Sequence, residues 1–137
     1  MKATYPVICA EDIGACREFY VSLFGFRPVF EVDFYVHLGG GEGVQLGFVK
    51  ADHESVPDAL PRPAAGVFVT IESDDVDALH EWARTLGVDV VYTLRDEEWG
   101  QRHFMVRDPA GLFVDVVKYI PPTREFLLRH GIEAAAT

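Results

Sequence analysis

The sequence predicts an α+β fold of two tandem βαβββ modules. Three observations carry this expectation. Residues 5–20, YPVICAEDIGACREFY, run from a short apolar stretch through an acidic turn into a helical pattern, and residues 68–83, FVTIESDDVDALHEWA, repeat that order 63 positions later. Each copy is followed by three strand-like segments separated by turn residues. The chain has 137 residues, enough for one ordinary domain but not for two comfortable independent ones. The expected organisation is a first module over 1–50, a linker over 51–65, a second module over 66–120 and a tail over 121–137, all within one structural domain.

Taken in order, the first strand ends near residue 10 and leads to Asp12, whose carboxylate can accept from the free backbone N–H groups that open a helix. Gly25 ends that helix, as a left-handed C-terminal cap requires. Strands are expected at 27–32, 34–38 and 44–49, with Gly39-Gly40-Gly41 making the last turn. This glycine run joins two antiparallel strands and opens no helix, so it reads as a hairpin turn rather than a phosphate loop.

The second module repeats the plan. A strand near 67–72 leads to Asp75, in the capping position of a second helix that stops at Gly87. Strands follow at 89–94, 102–107 and 112–119, with DPAG at 108–111 as the turn. Here the offset is 70, placing Phe34 on Phe104, Val36 on Val106 and Gln45 on Asp115. The extra residues lie around RDEEWGQ, 95–101, a longer loop or strand extension carrying Trp99. The intervening ADHESVPDALPRPAAG holds three prolines and reads as a linker, and the tail opens with Pro121-Pro122 before one short helix.

Alternation along each strand separates a helix-facing set from an opposite set. Ile8, Ala10, Phe34, Val36, Leu38, Val44, Leu46, Phe48, Val67, Val69, Ile71, Phe104, Val106, Val114 and Val116 form the first. The second contains Tyr5, Tyr35, His37, Gln45, Phe68, Glu72, His103, Met105, Phe113 and Asp115, joined by Trp99 from the long turn. A plain solvent face is richer in Lys and Glu, and a core is poorer in polar groups. The mixture fits the lining of a concave site with a few polar groups fixing orientation; a second core or a dimer surface is the competing reading. His53 and His80 are expected at the surface on linker and helix, and His130 in the tail.

Composition narrows the function classes. Apolar residues are 49% and charged ones 25%, a globular balance, and no apolar run reaches the roughly 20 residues of a membrane span. Twelve Lys+Arg against 22 Asp+Glu give a net charge of −10, which disfavours nucleic acid and anionic membrane surfaces as partners. Cys9 and Cys16 stand in no metal or disulfide spacing, which fits a reduced, cytoplasmic chain. No nucleophile elbow, P-loop or dinucleotide-binding glycine motif occurs.

The helix signature from Asp12 to Phe19-Tyr20, the following LFGF, and above all RDPAGLFVDVV at 107–117 resemble the glyoxalase/bleomycin-resistance/extradiol-dioxygenase group, the vicinal oxygen chelate superfamily. WGQRHFMVRDPAG, 99–111, is nearest to its metal-free bleomycin-resistance-type members. The resemblance spans roughly residues 3–120 and implies two βαβββ modules curled round a cavity, often in a homodimer with each site between modules.

It also implies one divalent metal with four ligands, whose positions fall on Tyr5, Gln45, Phe68 and Asp115. Phenylalanine has no donor atom and a neutral tyrosine is a poor ligand, so Gln45 and Asp115 alone cannot complete a metal site. Leu112 also replaces the group's usual Asn after the turn. No metal, cofactor or catalytic residue is therefore expected. The resemblance then implies a metal-free binding protein that sequesters a planar or cationic small molecule, such as an antibiotic, on Tyr5, Tyr35, His37, Gln45, Phe68, Trp99, His103, Met105, Phe113 and Asp115. The alternative is a glyoxalase-like lyase, isomerase or dioxygenase with an atypical metal site drawn from His37, Glu72, His103 and Asp115, or with an imidazole–carboxylate pair and no metal.

Overall fold

A computed structural model describes residues 1–133. The chain divides into two compact units, Met1–Val67 with Asp108–Leu112, and Phe68–Arg107 with the chain from Phe113 onward. The turn at 108–112, which sequence alone assigns to the second module, thus belongs with the first unit.

The first unit comprises β1 (Val7–Ala10), α1 (Ile13–Phe24), β2 (Arg27–Val32), β3 (Tyr35–Gly41) and β4 (Val44–Lys50). They form one sheet in the order β1-β4-β3-β2, parallel between β1 and β4 and antiparallel elsewhere. Asp12 accepts from the Ala15 N–H at 2.9 Å and so caps α1. Gly25 closes it with φ of 70°. The helix packs on β3 and β4, burying Cys16, Tyr20 and Leu23 on the side where Ile8, Ala10, Val36, Leu38, Leu46 and Phe48 are also buried. Tyr20 lies in an aromatic group with Phe26 and Phe48, ring centroids 5.6 and 5.4 Å away.

Three local expectations change here. The β3–β4 turn is Glu42-Gly43, with Gly43 at φ of 73°, while Gly39 and Gly40 stay inside β3. Close packing explains the extension, since a Cβ on Gly40 would come within 2.8 Å of the Phe26 ring. Phe34 falls in the turn before β3, half-buried and stacked on His53 at 3.8 Å, so neither residue is as sequence placed it. The proline-rich 51–66 stretch is also more than a tether: Val56 is buried in a cluster with Cys9 and Val49, against which Tyr35 and Ala51 pack.

The second unit comprises β5 (Phe68–Glu72), α2 (Val76–Thr85), β6 (Val90–Glu97), β7 (Gln101–Arg107), β8 (Phe113–Tyr119) and the short α3 (Arg124–Arg129). Its sheet order, β5-β8-β7-β6, repeats that of the first, and neither sheet closes into a barrel. Phe104, Val106, Val114 and Val116 are fully buried with Val76 and Ala83 of α2. Asp75 does not cap α2 through its side chain; its own N–H donates to Ser73 Oγ at 3.1 Å instead. Val67 precedes β5 and is exposed. His80 is half-buried, its ring edge-on to Phe104 at 5.1 Å rather than free in solvent. Among the described residues no helix is long and apolar enough to cross a membrane.

Candidate functional site

In β7 the backbone alternation that buries Phe104 and Val106 beside α2 turns His103 to the opposite face. There it is 5% exposed at the side chain and held from both ends. Nδ1 lies 2.7 Å from Asp115 Oδ1 and Nε2 lies 3.2 Å from Glu97 Oε2. The Tyr92 hydroxyl donates to the same Glu97 oxygen at 3.0 Å. A carboxylate only accepts, so each contact is a hydrogen bond only through a proton on the ring or on the acid, and the site sets two acids against one imidazole, an excess of acidic charge. Burial and the bond to Glu97 raise the Tyr92 phenol above its usual range, which keeps it a donor.

Aromatic surface surrounds this charge. The rings of Tyr92 and Trp99 lie 5.2 and 6.4 Å from the His103 ring, and the Trp99 indole donates to Gln101 Oε1 at 2.8 Å. The Arg95 guanidinium sits 3.5 Å over the Tyr92 ring, a cation–π contact. Phe68 and Phe113 pair across β5 and β8 and remain 54% and 38% exposed. Met105 pairs with Asp115 in the antiparallel β7–β8 ladder.

The first unit carries a parallel arrangement with different chemistry. His37 of β3 bonds through Nδ1 to the Tyr35 hydroxyl at 2.7 Å and through Nε2 to Gln45 Oε1 at 2.8 Å. A phenol at one nitrogen and an amide oxygen at the other hold the ring from both ends. The Tyr5 ring meets His37 edge-on at 4.6 Å. Gly47 makes room for the chain of bonds, since a Cβ there would stand 2.5 Å from the Tyr35 oxygen. Burial beside Tyr5 raises the Tyr35 phenol above its usual range.

The four positions the resemblance assigns to a metal do not fit one. Phe68 has no donor, Gln45 Oε1 is engaged by His37, and Asp115 Oδ1 is engaged by His103. In the β5–β8 ladder Phe68 pairs with Phe113 and Asp115 with Thr70. Among the described residues no group of three His, Cys, Asp or Glu side chains is placed to hold a metal ion. His103 stands between its two acids, and their donor atoms therefore do not converge on one point.

Sequence reasoning missed Glu97, Tyr92 and Arg95. The signal was present in YTLRDE, but the β6–β7 register shifts twice, between Val90 and Tyr92 and again before Arg95. Each bulge breaks the period of two that assigns faces.

Matches with known proteins agree with this architecture. The model of the Glyoxalase/Bleomycin resistance protein/Dioxygenase superfamily matches residues 2–116. An uncharacterized protein of Mycobacterium tuberculosis is 29% identical over 124 residues, covering 80% of this chain and 69% of that protein. Among solved structures, TioX from Micromonospora sp. ML1 superposes with a TM-score of 0.72 at 20% identity, covering 88% of this chain and 100% of TioX. Lactoylglutathione lyase from Agrobacterium tumefaciens gives 0.66 at 23% identity, covering 86% and 94%. At these identities the structural likeness speaks for the fold.

Proposed function

The chain belongs to the Glyoxalase/Bleomycin resistance protein/Dioxygenase superfamily, and from that premise we propose that it is a metal-free small-molecule binding protein that sequesters a planar, positively charged compound such as an antibiotic. The observation that carries this reading is the Glu97–His103–Asp115 trio, two acids on one buried imidazole and so an excess of acidic charge, flanked by the Tyr92 and Trp99 rings. A planar cation gains both from that charge and from an aromatic face, each cation–π contact contributing about 0.5–2 kcal/mol. Phe68 and Phe113 extend the aromatic surface, and the net charge of −10 favours approach of a cation.

The test is a titration of a planar acridinium cation into Trp82→Phe protein, with Trp99 emission as the readout. Saturable quenching is expected, weakened at least tenfold by Glu97→Gln, with an uncharged acridine analogue binding less. Emission unresponsive to a broad panel of planar cations overturns the reading.

A second reading has one specific observation in its favour: Asp115 orients the His103 imidazole as a carboxylate orients a catalytic base, which suits a lyase or isomerase. Elemental analysis of untagged protein separates its metal-dependent form. Stoichiometric zinc, iron, manganese or nickel, lost in Asp115→Ala, would replace the binding reading with that one.

A further inference from the structure

The first unit holds a cavity that no residue of the His103 trio lines. It has a volume of about 260 Å³ and is lined by Val7, Cys9, Phe34, Tyr35, Val49, Ser55, Val56, Pro57 and Leu60. Its floor is the face of β1, β3 and β4 opposite α1, and its cover is the 55–60 stretch of the proline-rich segment. That cover is held by its own turns, with Val56 N–H bonded to His53 O and Leu60 N–H to Pro57 O, both at 3.0 Å. Val56 anchors it from beneath, buried against Cys9 and Val49.

The lining defines the occupant. No charged side chain contributes to it. Its two hydroxyls are already engaged, Tyr35 with His37 Nδ1 at 2.7 Å and Ser55 with His53 Nδ1 at 2.8 Å. A charged or strongly polar ligand would lose its hydration there and find no partner. At the mouth, Val7 and Leu60 are each 47% exposed, apolar surface that an occupant would cover. For scale, a cavity of about 150 Å³ lined by aliphatic and aromatic side chains holds benzene.

We propose that this cavity is a binding site for an uncharged, ring-containing small molecule of one or two fused rings, distinct from the cation site of the second unit. Chemically, the two sites ask for opposite ligands, so the protein takes an aromatic cation at one and a neutral aromatic at the other.

The experiment titrates indole into protein carrying labelled valine and leucine methyl groups, followed by NMR. The expected result is saturable shifts of the Val7, Val49, Val56 and Leu60 methyls. Benzoate of similar size should shift them at least tenfold more weakly. Val7→Phe, a change at the half-open mouth, and Leu60→Asp, at its rim, should each weaken indole at least tenfold, whereas Glu97→Gln should leave it unchanged. Absence of a saturable shift in the unmodified protein, shifts confined to other methyls, or indole binding in both rim variants as tight as in the unmodified protein would overturn the proposal. The cation site is read separately through Trp99, so either site can fail without the other.

Discussion

The Tyr20 hydroxyl donates to Asp108 Oδ2 at 2.7 Å, a bond between the first helix and a turn 88 residues further along. The other oxygen, Oδ1, accepts from the Ala110 and Leu112 N–H groups, both at 2.9 Å. One buried carboxylate thus shapes its own turn and fixes that turn to α1. Two of the motifs that carry the family resemblance are bonded to each other. Replacing Tyr20 with Phe removes the donor and leaves a buried oxygen unsatisfied, at a cost of about 1–3 kcal/mol. Urea denaturation should show the loss, with Asp108→Ala losing more because it also frees two backbone donors.

Alkaline pH should act on the same region. Burial, with the charges of Asp108 and Asp12, pushes the Cys16 thiol from 9.0 up to about 12, and burial beside Asp108 raises the Tyr20 phenol as well. A group whose folded value is raised contributes its stability fully below the unfolded value. From pH 9 upward the unfolded chain releases a proton that the folded chain keeps, so stability falls by at most about 1.4 kcal/mol per pH unit for each group. The urea midpoint should therefore drop between pH 9 and 11, and less steeply in Cys16→Ala. An equal slope in that variant contradicts the assignment to Cys16.

Gly47→Ala should disrupt the first unit's polar chain. The added methyl meets the Tyr35 oxygen at 2.5 Å and its ring at 3.1 Å, so Tyr35 must leave His37. The expected destabilisation is about 1–3 kcal/mol, typical of overpacking. Nitrogen-detected NMR of the His37 ring should show the Nδ1 signal shift as the Tyr35 bond is lost; an unchanged ring spectrum would count against that displacement.

Removing the imidazole from the second unit should cost more. His103→Leu leaves Asp115 and Glu97 facing an apolar side chain with no shared proton, a loss of about 3–5 kcal/mol for an uncompensated buried charge. His103→Leu combined with Asp115→Asn and Glu97→Gln should recover part of it. Thermal and urea unfolding of the unmodified protein and the two variants test this directly, and a triple variant less stable than the single one argues against charge as the cause.

Much of the architecture was legible in the residues. Asp12, Gly25 and Gly87 mark helix ends by chemistry that acts within one turn of chain. The alternation of Val36 and Leu38 against Tyr35 and His37 assigned faces correctly, because strand period is a property of contiguous residues. The Asp115–His103 pairing was also within reach, since two adjacent antiparallel strands bring the same face together.

Sequence by itself determined the repeated βαβββ order, the faces of β3 and β7, the excess of acid and the want of a good ligand at two of four metal positions. Tertiary structure alone decided which side chains meet: that Asp115 pairs with Thr70 and Phe68 with Phe113, that two bulges bring Glu97 and Tyr92 to His103, that 55–60 covers an apolar cavity, and that Asp108 answers Tyr20. The reason is physical. Periodicity and capping are settled by neighbours along the chain, whereas register, bulges and long-range bonds are settled by packing between segments far apart in it.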